Sequence, residues 1–222
     1  MQQAHSRGKS AGAPRSGLPA CVYFCMPTDV EKLNEDLVKR AGRYGITVVQ
    51  ADLEEEVPGE FDGPTITLNK EYDAAERAFY LAHSIGSIAE WSIHPDRSRQ
   101  IFDELRQAKH ERTSDAARLQ RALSAYVSFE NATWEFAVWL LEDTGHGRSV
   151  AAFTNFGRAD MEAMRVFHTT GKAPVWREFF AEWNEQVRQG SRTVTPLAAR
   201  PIPEFQAVKI PKQEIVQEDD AS

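Results

Sequence analysis

Of 222 residues only two are cysteine, Cys21 and Cys25, and no apolar run approaches the ~20 residues that a helix needs to cross a bilayer. A C-x-x-x-C spacing fits neither the usual redox nor the usual zinc pattern, so both are read as reduced core residues. The leading stretch MQQAHSRGKSAGAPRSGLP has no apolar segment of the secretory kind, and the expectation is a cytoplasmic protein without membrane contact. A Lys/Arg stripe is missing as well. Of the formal net charge of −7, residues 1–18 hold +3 and residues 214–222 hold −4, leaving an acidic body at −6. Sequence-independent nucleic-acid binding rests on phosphate neutralisation and is not expected of such a body. No internal repeat is visible.

What is present, at 41% hydrophobic residues, suffices for one good core. Residues 1–18 are rich in Gly, Ser, Ala, Pro and Gln, with too little apolar surface to offset the entropy of ordering. ACVYFCM, Ala20 to Met26, is β-branched and aromatic and predicts a buried strand. Thr28 with Glu31 forms a capping-box signature, Leu33, Leu37 and Ala41 share one helical face, and Gly45 marks the stop. ITVVQADL, Ile46 to Leu53, predicts a second strand. The acidic, Pro- and Gly-bearing run Glu54 to Pro64 reads as a loop, and Thr65 to Leu68 as a short strand.

Asp73 with Glu76 repeats the capping box and opens a central helix, on which Ala78, Leu81, Ala82, Ile85 and Ile88 form a broad apolar face. Pro95 interrupts the pattern, and a polar helix is expected over Arg97 to His110. From Arg118 to Leu141 the apolar residues keep near-3.6 spacing, which predicts a long helix. Two more helices are expected, around Asp160 to His168 and around Trp176 to Gln189. Beyond them Pro196, Pro201, Pro203 and Pro211 permit only extended or irregular chain.

Two of these stretches carry a resemblance. ITLNKEYDAAERAFYLAHSIGSIAEW (Ile66 to Trp91) and SFENATWEFAVWLL (Ser128 to Leu141) resemble the core of the ImmA/IrrE-type zinc metallopeptidases. There a segment like I-x-L-N…R-x-x-F-x-x-A-H-E-x-G-H precedes a helix of the form E-x-x-A-N-x-F-A-x-x-L-L. The resemblance implies an α+β fold, with a small β-sheet packed against a buried zincin-like helix and a mostly helical C-terminal half. It divides the chain into a disordered leader (1–18), a metallopeptidase-like domain (19–150), a helical C-terminal extension (151–195) and an extended or disordered acidic tail (196–222).

In such enzymes two His four apart bind Zn²⁺, the Glu beside the first takes a proton from the metal-bound water, and a later carboxylate completes the ligands. By motif, His83 matches the first His and Glu130 the carboxylate. Ser84 stands at the general-base position and Ser87 at the second His position, while Thr133-Trp134 replaces the family's Ala-Asn. A hydroxyl has too high a pKa to act as the base near neutral pH and is a poor zinc ligand, and losing general-base help alone costs ~10²–10⁴-fold. His83 and Glu130 are therefore expected as a vestigial metal pair with no bound cofactor.

The function expected is that of a catalytically inactive metallopeptidase-like protein serving as a protein-binding or regulatory module. Relatives implied by the resemblance cleave helix-turn-helix repressors, so the expected partner is a protein, with a transcriptional regulator as the candidate. The alternative is an active metal-dependent peptidase or hydrolase that binds zinc through a rearranged ligand set, with Glu90, His94 or His146 as the recruit. A Ser87–His83–Glu130 nucleophilic arrangement and a purely structural role are further readings. His83 itself reads most simply as a buried polar residue bonded to Glu130 and Ser87. Trp176, Phe179, Phe180 and Trp183 form one stripe, which is either core or, if exposed, a possible partner face.

Overall fold

The computed structural model describes residues 30–54, 57–110, 115–172 and 174–210. Among them are six helices and a three-stranded sheet, an α+β fold. The expected strand at Ala20 to Met26, both cysteines and the Thr28 cap lie outside the described residues.

Helix α1 (Val30–Arg43) buries Leu33, Leu37 and Ala41 and stops at Gly45, whose φ of 74° is the left-handed conformation that glycine adopts without steric cost. Strand β1 (Thr47–Ala51) pairs in parallel with β3 (Thr65–Asn69), Thr47 opposite Thr65. On β3 the alternation turns Ile66 and Leu68 into the core. The stretch expected as a loop contains a third strand, β2 (Gly59–Phe61), antiparallel to β3 on its other side. Its flanking Pro58, Gly63 and Pro64 are loop formers, which hid it. Gly59 is required there, since a Cβ would sit 2.4 Å from the Tyr80 ring and 2.7 Å from the Thr67 carbonyl oxygen.

Helix α2 (Ala74–Ile93) begins with the expected capping box. The Asp73 carboxylate accepts from the Ala75 and Glu76 amides at 2.9 Å each, and the Glu76 carboxylate accepts from the Asp73 amide at 3.2 Å. This helix is buried on nearly all sides, including Ala78, Leu81, Ala82, Ile85, Ile88 and Ala89. Helix α3 (Pro95–His110) starts at Pro95 rather than after it, because proline at the first helical position gives up an amide that has no partner there anyway. Helix α4 (Ala116–Asp143) crosses α2 closely enough that a Cβ on Gly86 would meet the Thr133 carbonyl oxygen at 2.3 Å.

Helix α5 (Val150–Thr170) begins ten residues before the expected Asp160. Asn155 and Gly157 look like helix breakers in the sequence, and both have tertiary reasons. Gly157 leaves room for the Trp134 ring, to which a Cβ would approach within 2.6 Å, and Asn155 accepts a hydrogen bond from the Trp183 indole at 2.9 Å. Ala152, Phe153 and Met161 of α5 belong to the main core, so the chain has no boundary at 150–151 and the extension envisaged from residue 151 is part of the body.

Helix α6 (Trp176–Arg188) lays Phe180 and Trp183 against Ala159 in a small second cluster. This corrects the possible partner face. Phe180 is 1% exposed and Trp183 7%, and Trp176 and Phe179 are half-buried around them, so the stripe is core.

Residues 193–210 run extended across the body as a strap, with Leu197, Ile202 and Ile210 buried. Backbone amides fasten it: Arg200 to the Glu135 carbonyl at 3.1 Å, Ala207 to that of Tyr44 at 2.9 Å and Ile210 to that of Asp62 at 2.8 Å. Phe205 stacks on Tyr44 with ring centroids 4.4 Å apart. The acidic tail envisaged from residue 196 is thus ordered as far as Ile210, and residues 211–222 lie outside the described range. No described helix is long and apolar enough to cross a membrane.

The contact at Gly86 is with backbone, which cannot swing aside, so overpacking by Gly86→Ala should exceed the ~1 kcal/mol that alanine gains in a helix and leave a net loss of about 1–3 kcal/mol in urea unfolding. Gly42→Ala, with nothing within 4 Å of the added carbon, should be neutral or stabilising in the same assay.

Candidate functional site

The α2–α4 crossing sets His83 beside the stretch of α4 that carries Glu130, Thr133 and Trp134. His83 Nε2 lies 3.0 Å from Glu130 Oε2 and 3.2 Å from Thr133 Oγ1. The Thr133 hydroxyl donates to the Glu130 backbone carbonyl at 2.8 Å, which leaves its oxygen to accept from the imidazole. An ionised Glu130 can only accept, so Nε2 carries a hydrogen. Trp134 lies against the ring at 4.2 Å between centroids and 19° between planes, and is itself packed on Phe153 and Gly157. A stacked contact of this kind contributes about 0.5–1.5 kcal/mol beyond burial. The indole occupies the position where the resembled family has the much smaller Asn.

The two serines do not complete the set. Ser87 donates its hydroxyl to the His83 backbone carbonyl one turn back, at 3.1 Å, rather than to the ring. The Ser87–His83–Glu130 nucleophilic arrangement is therefore not formed, and the expected bond from His83 to Ser87 runs through the backbone instead. Ser84 is fully buried beside the Tyr80 hydroxyl without a hydrogen bond of good geometry.

Nor do the other candidates reach the pair. His94 caps the C-terminal end of α2, ~16 Å along the helix from His83 at 1.5 Å per residue. His146 pairs with Asp36 of α1 at 3.2 Å. Glu90 is buried two helical turns from His83, with Arg97 at 3.8 Å and Arg200 of the strap at 3.7 Å. Among the described residues no three His, Cys, Asp or Glu side chains form a group that could hold a metal ion. The residues present do not fit zinc.

One residue escaped the sequence reading. Asp160 of α5 interacts electrostatically with both His83 and Glu130, and burial, with the Glu130 charge added and the His83 charge opposing, pushes its carboxyl up to about 6. The sequence places Asp160 near the start of an expected helix, but it is mid-helix and one turn after Gly157. Burial pushes the His83 imidazolium down, but the hydrogen bond and charge of Glu130, with the charge of Asp160, outweigh it and raise it above the ordinary value. The buried Tyr126 hydroxyl is pushed up by burial and by the Glu130 charge. The site is a compact acid–imidazole cluster with His83 reaching solvent over 16% of its side chain.

Comparison with protein-family models, curated proteins and solved structures found no match to this chain.

His83→Ala leaves Glu130 partly desolvated without its partner and should lower unfolding stability by about 1–3 kcal/mol. The pH dependence follows from two shifts of one sign. A group that holds its proton more tightly when folded adds stability that is complete below its unfolded pKa and is lost as pH rises through its folded pKa. For Asp160 that loss runs from 3.8 to about 6, and for His83 it lies above 6.5. The cluster's contribution to stability should therefore fall from about pH 4 upward, against the opposite contribution of the paired surface carboxylates, and Asp160→Asn should remove the lower part of that fall in urea unfolding and stabilise the neutral protein by on the order of 1 kcal/mol.

Proposed function

We propose that this chain is a catalytically inactive member of the ImmA/IrrE-type metallopeptidase-like proteins and acts as a protein-binding or regulatory module. The observation that carries this reading is the closed His83–Glu130 pair. The two positions that match the zinc His and the late carboxylate lie on neighbouring buried helices and bond directly to each other. The matching positions for base and second His are hydroxyls, Ser84 buried without a well-formed hydrogen bond and Ser87 bonded to the His83 carbonyl, and Trp134 lies on the imidazole face. On this reading α2 is the zincin-like helix and the pair is a polar remnant.

A metal-bound water would need a base and a third ligand, and the described side chains supply neither at the pair. What the site leaves open is the solvent-reaching edge of His83, 16% of its side chain, and that face is the surface assigned to a partner, since the α6 stripe is buried. A transcriptional regulator is the partner class that the resemblance supplies.

Metal content and peptide cleavage test the inactive half of the proposal. Protein purified without added metal should hold well under one zinc per chain and cleave no peptide. Ser84→Glu with Ser87→His and Trp134→Asn restores the base, the second imidazole and the small residue of the family pattern, and should take up zinc toward one ion per chain. Stoichiometric zinc in the unaltered protein, lost on His83→Ala, would overturn the proposal, as would a folded triple variant that takes none. For the binding half, photo-cross-linkers placed around the exposed edge of His83 in the full chain should capture one regulator protein at a fixed stoichiometry. Capture only from positions on the strap or the sheet would contradict it.

A further inference from the structure

A cavity of about 310 Å³ opens between α4, α5, α6 and the first residues of the strap. Val127, Met161 and the Trp183 ring give it apolar walls, and Arg158, Arg165 and Glu162 give it charge. Its size is at the lower end for metabolite sites, which run from ~300 to ~1,000 Å³ and combine apolar walls with a few fixed polar groups.

The charge balance inside it is uneven. Arg165 is neutralised by Glu162 through a two-point contact, at 2.8 and 2.6 Å. Arg158 is not. Its guanidinium donates to the Thr195 carbonyl at 2.9 Å, the Pro196 carbonyl at 3.3 Å and the Asn131 amide oxygen at 2.9 Å, all of them neutral acceptors. No described carboxylate lies within ion-pair distance of it, Glu135 acting only from further away. Because a guanidinium has five N–H donors in a rigid plane, two remain after these three bonds. Arg192, next to the cavity-lining Thr193, lies over the Trp183 ring at 4.1 Å, donates to the Gln186 amide oxygen at 2.8 Å and interacts electrostatically with Glu162.

One guanidinium without a carboxylate partner, that of Arg158, thus lines a concave, partly apolar space on a protein whose net charge is −7, while the lining carboxylate, Glu162, is committed to Arg165 and lies in the field of Arg192. Leaving a cation partly desolvated in this way is costly unless an anion completes it, and the planar fork matches a carboxylate or phosphate oxygen pair. We propose that this cavity binds a small molecule carrying an oxyanion, a carboxylate or a phosphate, with its apolar body against Trp183 and Met161. Since Arg158 also holds the strap by two carbonyls, such a ligand would stabilise the strap as it binds.

Calorimetric titration of the full chain at constant ionic strength tests this, with benzoate and inorganic phosphate as separate probes and uncharged benzamide as the control. At least one anion should bind while benzamide does not, and which anion binds names the source of the oxyanion. Arg158→Gln should weaken binding at least tenfold. As that change also frees the strap carbonyls, Val127→Trp is the second variant, since it fills the cavity with every arginine in place and should weaken binding to the same degree. No binding of either anion to the folded chain overturns the site, as does benzamide binding equal to benzoate or anion binding that Val127→Trp leaves unchanged.

Discussion

The close crossing of α2 and α4 at Gly86 is the constraint on which the rest of the arrangement depends. Only a residue without a Cβ lets the two backbones approach there, with the Thr133 carbonyl where a side chain would otherwise begin. Gly86 is three residues from His83, and Thr133 is three residues from Glu130. The approach that fixes the helix pair therefore also fixes the imidazole–carboxylate contact at 3.0 Å. Trp134, the next residue on α4, carries the constraint onward. Its indole fills the space between His83 and α5, and Gly157 is the accommodation that α5 makes to it. Three helices are registered to one another through two glycines and one indole.

The same packing explains why a polar pair persists in so apolar a setting. A buried acid and base that bond well to each other gain little over an apolar pair of equal volume, but removing one of them strands the other. Thr133, Tyr126 and Asp160 surround the pair with further polar atoms. The proton distribution is skewed accordingly, with Asp160 and His83 both held above their ordinary values. His83, Glu130 and Thr133 bond to one another directly, which supports the reading of the pair as self-contained.

Much of this was legible in the sequence where the signal was local. The Asp73–Glu76 capping box, the stop at Gly45 and the apolar face of α2 rest on short-range spacing, and the structure has them. Features fixed by distant partners were not. Strand β2 was hidden by Gly59, whose lack of a side chain answers to Tyr80 twenty-one residues away. The start of α5 was hidden by Asn155 and Gly157, whose reasons lie in Trp183 and Trp134. Asp160 stands out in the sequence only as the start of an expected helix, because the turns before it carry Asn155 and Gly157. The aromatic stripe of α6 could be assigned to core or surface only once Ala159 was seen to lie beneath Phe180 and Trp183. The strap is held largely by backbone amides and carbonyls, which leave no mark on residue choice.

The central claim is that His83 is occupied by Glu130 and closed to a metal. Site-resolved ¹⁵N resonance of the His83 ring, assigned against His83→Ala among the six histidines, measures this directly. The account predicts a proton on Nε2, a titration midpoint above that of an ordinary histidine, and signals unchanged by an equivalent of zinc. An Nε2 that is unprotonated at neutral pH and shifts on adding zinc, with its titration abolished, would contradict the account.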